Sequence, residues 1–309
     1  MTASTPPLRF GLVGTGHWAR ITHAPALAAT EGIEFAAIWG RNLQAAGLLA
    51  ARYGAVPYDD LDAFLGAVDA VAFSVPPDVQ SKIAVRAASA GKHLLLEKPI
   101  STTAAAADTL VQAVMDAKVA SVVFFTARFQ PDVRAWLADV ASQGRWAGGS
   151  ATWLGTALQE SSPFNTPWRR DKGALWDLAP HVISLLWACL GPVASVTADA
   201  AARPDVTFLV LHHASGAASS VTVSLSASEP AEGFELYVWG ERGRSAAPGE
   251  TSYPDRALRV ALSELAGNAR SGRLDHPCDA SFGHAVGRVL TEAQRQIDTT
   301  RRIDTTRRI

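Results

Sequence analysis

The sequence predicts an α/β protein: an N-terminal doubly wound parallel sheet followed by an α+β domain with a largely antiparallel open sheet. Three observations carry this. Short apolar strands alternate with helical stretches from residue 8 to about 127, a glycine-rich turn follows the first strand at once, and beyond residue 148 the rhythm changes to strands with polar alternation. A chain of 309 residues is long for one core, so two domains are expected, 1–125 and 126–309.

Leu8–Val13 is the first strand and "GTGHWA" the turn after it. A helix over 18–30 follows, with Pro25 as its kink or break. "IEFAAIW" is the second strand, 42–53 an alanine-rich helix and 61–66 a short one. "AVAFSV" is a buried strand stopped by Pro76-Pro77, and a helix over 79–90 ends at Gly91. Leu94, Leu95 and Leu96 read as a strand buried on both faces, as parallel sheets favour, and Pro99 stops it. Glu97 and Lys98 therefore fall at the C-terminal rim, where doubly wound sheets bind ligands, although a plain surface ion pair would look the same from this segment alone. A helix over 104–117 and the strand "SVVFFTA" complete the alternation.

The second domain is read from "GGSATWLG", "VASVTADA", "VTFLVLHH", "SSVTVSLSAS" and "FELYVWGERG", interrupted by one helix over 178–190. This predicts a sheet with helices on one face. Helices over 257–268 and 282–296 close the chain. The tail "IDTTRRIDTTRRI" repeats six residues, a period of neither helix nor strand, so 298–309 is expected to be irregular or frayed.

Composition narrows the function. Lys+Arg 28 against Asp+Glu 29 leaves no basic field for nucleic acid or an anionic membrane surface. No apolar run is expected to span a bilayer, and "MTASTPPLRF" lacks the pattern of a secretory leader, so a soluble cytoplasmic protein is expected. Cys189 and Cys278 match no disulfide framework or metal spacing. No metal is expected, since His212 and His213 lie on one strand and point to opposite faces.

The turn reads Gly14-x-Gly16-x-x-Ala19: the first glycine allows a tight turn, the second close approach of a pyrophosphate, and Ala19 close helix–strand packing. Following a strand and opening a helix, it predicts dinucleotide binding. Where NAD-preferring sites hold an acid after the second strand, this chain has Gly40 and then Arg41, whose guanidinium suits a 2′-phosphate. NADP(H) is therefore the preferred cofactor and NAD(H) the alternative, with Arg41 as a merely solvated loop arginine the competing reading. In "KGALWDLAPH", Asp177 and His181 share a helical face. Asp177 could equally cap the helix, and His181 could be a packed core histidine.

These residues resemble the Gfo/Idh/MocA oxidoreductases, a family named for glucose–fructose oxidoreductase and inositol dehydrogenase. The resemblance runs through "FGLVGTGHWA", "YDDLDAFLGAVDAVAFSVPPDVQ", "AASAGKHLLLEKPIS", "ARFQP", "PWRRDKGALWDLAPH" and "HPCDASFGHAV". It implies a Rossmann domain and a second domain for substrate binding and oligomerisation, with a homodimer or homotetramer expected. It implies cofactor contacts from Gly14, Thr15, Gly16, His17, Trp18, Gly40, Arg41, Ser74, Val75, Pro76, Gln80, Glu97, Lys98, Trp168 and Arg169. It implies a small-molecule substrate held by Lys98, Arg128, Trp168, Arg169, Asp177 and His181. The catalytic residues it implies are Lys98, Asp177 and His181: His181 moving the hydroxyl proton, Asp177 orienting it, Lys98 stabilising charge on oxygen.

The chain departs from the family pattern at three places. Many relatives carry a histidine where Gln80 stands, a glycine triplet is reduced to Lys172-Gly173-Ala174, and Ser184 lies near the place of a frequent acid. The leading expectation is an NADP(H)-dependent dehydrogenase or reductase of a sugar, polyol or related carbonyl compound. An NAD-dependent redox-assisted glycosidase and a non-catalytic dinucleotide-binding regulator are the alternatives.

Overall fold

The computed structural model describes residues 6–200, 205–249 and 253–307. The chain packs as two units, Met1–Phe129 with Tyr253–His284, and Gln130–Ser252 with Ala285–Ile309.

In the first unit the elements run β1 (Leu8–Val13), a π-helical turn (Ala19–His23), α1 (Ala24–Ala29), β2 (Ile33–Trp39), α2 (Leu43–Ala50) and β3 (Val56–Tyr58). They continue with α3 (Leu61–Gly66), β4 (Ala70–Phe73), α4 (Pro77–Ser89), β5 (His93–Glu97), α5 (Ala104–Ala117), β6 (Ser121–Phe124) and a 3-10 turn (Thr126–Phe129). The second unit follows with α6 (Pro131–Gln143), β7 (Trp146–Leu154), α7 (Pro167–Asp177), α8 (Ala179–Leu190), β8 (Val193–Ala200), β9 (Thr207–His213), β10 (Ala218–Ser224), β11 (Gly233–Gly240) and β12 (Gly243–Ala246). Last come α9 (Pro254–Ser271) and α10 (Ala280–Arg307).

The first sheet is parallel, in the order β3-β2-β1-β4-β5-β6. The chain starts at its centre, winds to one edge, and returns to the other side, which makes the gap between the C-terminal ends of β1 and β4 the switch point. Leu94, Leu95 and Leu96 have no exposed surface, as a strand covered on both faces requires. Pro25 explains the π-helical turn. A regular helix would aim the Ile21 carbonyl at a proline that has no N–H; instead Ala24 N–H reaches back five residues to the Ala19 carbonyl.

The second sheet has the order β12-β11-β7-β10-β9-β8 and is antiparallel except where β7 and β10 run parallel. In β9 burial alternates strictly: Leu209, Leu211 and His213 face inward while Phe208, Val210 and His212 face out. Helices α7 and α8 pack on the inner face. Gln296 of α10 satisfies the edge strand β8, accepting from Ala198 N–H (2.9 Å) and donating to the Val196 carbonyl (2.9 Å).

Several expectations are corrected. β3 was not anticipated; it is three residues long, contains Pro57 and lies at the sheet edge, where a proline is tolerated. α6 was also missed, although Pro131 at its first turn and Val133, Trp136 and Val140 at helical spacing announce it. Residues 253–284, expected in the second domain, pack with the first unit, where α9 lies on α1, β5 and β6. The tail is helical through Arg307, because extending a formed helix is easy whatever the repeat; residues 308–309 lie outside the described residues. Pro167–Leu190 is long and apolar enough to cross a bilayer, contrary to expectation, and 78% of its apolar window is buried inside the protein.

Burial pushes the His93 imidazole below its ordinary value, against the pull of Asp69. Its Nδ1 accepts the Ala120 N–H at 3.0 Å, which needs an unprotonated nitrogen. The unfolded chain therefore takes up a proton more readily than the native one, so stability falls as pH drops through about 6.5 and is unaffected well above it. The urea midpoint should be lower at pH 5.5 than at pH 7.5, and the difference should shrink in His93→Asn, which keeps an acceptor but does not titrate. Equal pH slopes in both proteins would remove His93 as the cause.

Candidate functional site

The turn after β1 lies at the switch point. Gly14 has φ +127°, its N–H donates to the Trp39 carbonyl at 3.0 Å, and a Cβ there would stand 2.3 Å from the Ser74 carbonyl oxygen. Only glycine fits between the ends of β2 and β4. Gly16 differs: it has no positive φ, and a Cβ would meet nothing within 4 Å. The fold makes no demand for glycine there, whereas a phosphate approaching the backbone would. Ser74 on the neighbouring β4 end has a buried hydroxyl oxygen without a partner among the described residues. An open cradle at Gly16 and a waiting hydroxyl fit a dinucleotide, and Thr15 and His17 flank the same turn. Val75 is half-buried and Pro76 exposed just beyond Ser74.

At the end of β2, Gly40 is buried, and a Cβ on it would come 3.0 Å from Thr15 Cγ2. Arg41 is exposed and has no hydrogen bond or ion pair with the described residues.

Lys98 sits half-buried at the rim of β5, and its bond to Pro99 is cis. The residues expected beside it as cofactor contacts are engaged with each other. Glu97 Oε1 accepts from Trp18 Nε1 (2.7 Å) and lies 2.9 Å from His23 Nε2, while Oε2 accepts the Lys98 N–H at 3.3 Å. His23 is wholly buried, with its ring edge-on to Phe124. Gln80 is wholly buried too, and its amide bonds the main chain of Glu97 and Pro99. Trp18, Glu97 and Gln80 thus build the rim through their side-chain polar groups. Arg128 in the 3-10 turn holds its guanidinium 5.8 Å from the centre of the Phe282 ring.

In the second unit, Asp177 does not cap α8: Leu178 is the residue at that helix start, and no side chain caps it. Asp177 Oδ2 accepts from Arg169 Nε at 2.7 Å, and both side chains are largely buried. Arg169 also donates to the Phe164 carbonyl (3.3 Å) and lies over the Trp168 and Phe164 rings. Arg169, expected to touch cofactor or substrate, is held inside its own unit by a charge-assisted bond. His181 is buried, and its ring centre lies 5.6 Å from that of Trp153.

Two residues here escaped the sequence reading. Trp153 lies on β7, and strand alternation alone does not say which ring it meets. Asp205 is buried; it accepts from Ala174 N–H (2.9 Å), Ser224 Oγ (3.3 Å) and Leu225 N–H. It stands where Gly173 breaks α7 with φ +64°, and no local pattern marks it. Among the described residues no group of three or more His, Cys, Asp or Glu could hold a metal ion.

Comparison with known proteins agrees with this architecture. Residues 8–125 match the model of the GFO/IDH/MocA oxidoreductase family, NAD-binding Rossmann fold, and residues 142–246 match the GFO/IDH/MocA C-terminal domain. An uncharacterized oxidoreductase of Synechocystis sp. is 32% identical over 66% of this chain, and an inositol 2-dehydrogenase of Rhizobium meliloti 31% over 64%. The matches span 58% and 60% of those relatives' own lengths. A myo-inositol dehydrogenase structure from Corynebacterium glutamicum superposes with TM-score 0.82 at 20% identity, covering 95% of this chain and 97% of that one. The chain belongs to the GFO/IDH/MocA family.

The two glycines of the turn should separate in experiment. Gly14→Ala should lower the melting temperature, since its Cβ meets backbone. Gly16→Ala should leave melting unchanged and weaken dinucleotide binding by roughly 1–3 kcal/mol, as a lost set of bonds to charged phosphate would. Fluorescence transfer from tryptophan to a reduced nicotinamide reads the second effect, and equal affinity in Gly16→Ala would show that no ligand approaches there.

Proposed function

We propose that this chain is an NADP(H)-preferring oxidoreductase that interconverts a hydroxyl and a carbonyl on a sugar, polyol or related small molecule. The observation that carries the reading is the glycine turn of β1, whose second glycine answers no need of the fold. Its switch-point position and the name of the inositol 2-dehydrogenase relative support the rest.

Gly14, Thr15 and Gly16 would hold the pyrophosphate by their backbone, with Ser74 alongside. When bound, a nicotinamide supplies or accepts the hydride. Lys98 brings a positive charge to the sheet rim, suited to stabilising charge that develops on oxygen. In the second unit His181 is the group suited to give or take the hydroxyl proton, with Asp177 nearby in sequence and tied to Arg169. For the cofactor preference, the end of β2 offers no carboxylate to repel a 2′-phosphate and leaves Arg41 exposed beside Gly40.

Titration with NADPH and NADH tests the preference. NADPH should bind more tightly, and Arg41→Ala should weaken NADPH alone, by roughly 1.5–3 kcal/mol for a charge-assisted bond. An equal loss for NADH would show that Arg41 does not read the phosphate. With myo-inositol and a panel of sugars and polyols as substrates, Lys98→Ala should abolish nicotinamide reduction while cofactor affinity persists. Undiminished turnover would take Lys98 out of the chemistry.

A further inference from the structure

We propose that Gln80 is a positioning residue: its amide serves as the last rung of the sheet and fixes the main chain on both sides of Lys98. The chemical importance of that position rests on the oxidoreductase reading above; the positioning itself does not.

The need arises from how the strands end. β5 pairs with β6 as far as Glu97 opposite Phe124, but with β4 only as far as Leu95 opposite Ala72. On the β4 side, Pro76 and Pro77 turn the chain into α4, so the main chain there offers Glu97 no partner. Buried N–H and C=O groups left unpaired are costly. Gln80, in the first turn of α4, fills the gap. Its Oε1 accepts the Glu97 N–H at 2.8 Å, and its Nε2 donates to the Glu97 carbonyl at 2.8 Å. The same Nε2 donates to the Pro99 carbonyl at 3.3 Å. A side-chain amide has the donor and acceptor of a peptide group, so it can replace a strand's backbone.

What distinguishes this from ordinary satisfaction of a buried strand is where the three bonds fall. Two act on the residue before Lys98 and one on the residue after it. The Glu97 side chain is fixed as well, by Trp18, His23 and the Lys98 N–H itself. The main chain from which the lysine projects is thereby held from two directions, and Gln80 spans Lys98 from one side to the other. An amide does not titrate, so this hold is the same at every pH at which the protein is folded.

The test reads Lys98 without requiring turnover. The full chain and its Gln80→Leu, Gln80→His and Gln80→Glu variants are reductively methylated with formaldehyde and cyanoborohydride, and the rate at Lys98 is taken relative to the exposed Lys82 and Lys118 by peptide mass spectrometry. Gln80→Leu should change that ratio at least threefold. Gln80→His, which when neutral offers one donor and one acceptor, should stay within twofold of the parent at pH 8. Gln80→Glu should resemble Gln80→Leu at pH 8 and move toward the parent at pH 5.5, because burial at this position raises the carboxyl's pKa and lets it regain a proton to donate. If Gln80→Leu does not fold, the pH-dependence of Gln80→Glu decides. An unchanged ratio in every folded variant, or a change shared by Lys82 and Lys118, overturns the proposal. A parent protein that binds neither NADPH nor NADH overturns the oxidoreductase reading instead, and leaves the labelling ratio to decide on Gln80.

Discussion

The Glu97 carboxylate is the joint on which the first unit's functional end depends. It is mostly buried, so its charge needs donors, and it finds them in the indole of Trp18, the ring of His23 and the N–H of Lys98. Those donors come from the helical segment after the glycine turn and from the rim of β5. A single acid thus ties the turn that would hold phosphates to the strand end that carries the lysine. The two places are not neighbours in the sheet, because β4 lies between β1 and β5.

The second unit solves a similar problem with another acid. Gly173 breaks α7, leaving main-chain N–H groups without helical partners, and Asp205 takes the N–H of Ala174 together with that of Leu225 at the end of β10. A few residues later Asp177 is held by Arg169, itself layered on Trp168 and Phe164. The segment that carries Asp177 and His181 is therefore fixed at its beginning and its middle before α8 starts. Buried pairs of this kind specify one arrangement more than they stabilise it, since desolvation offsets much of their attraction.

Much of this was legible in the sequence because it rests on local constraints. Leu94–Leu96 of β5, the turn at Gly14 and the alternation of β9 follow from backbone sterics and the two-residue repeat of a strand. Pro25 announced an irregular helix, though not that the irregularity would be a wider turn instead of a kink. What stayed hidden was set by partners far along the chain. Gln80 meets Glu97 across 17 residues, Asp205 meets Ala174 across 31, and Trp18 meets Glu97 across 79. A side chain's chemistry shows what it can bond, not which distant group the fold brings to it. The bonds that Gln80 makes to Glu97 and the packing of α9 with the first unit were therefore not legible.

The π-helical turn has a consequence for which lengths of this segment the protein can accept. In a regular helix, Trp18 and His23, five positions apart, would point about 140° away from one another. Widening the turn between them brings both onto one side, where both meet the same Glu97 oxygen. Removing one residue from Ala19–His23 would return the turn to ordinary helical width, at the cost of a carbonyl facing Pro25, which has no N–H to offer it. It would also swing one of the two rings away from the carboxylate. Chain length matters at this point independently of residue identity: a one-residue deletion would leave the segment helical and still undo the shared contact with Glu97.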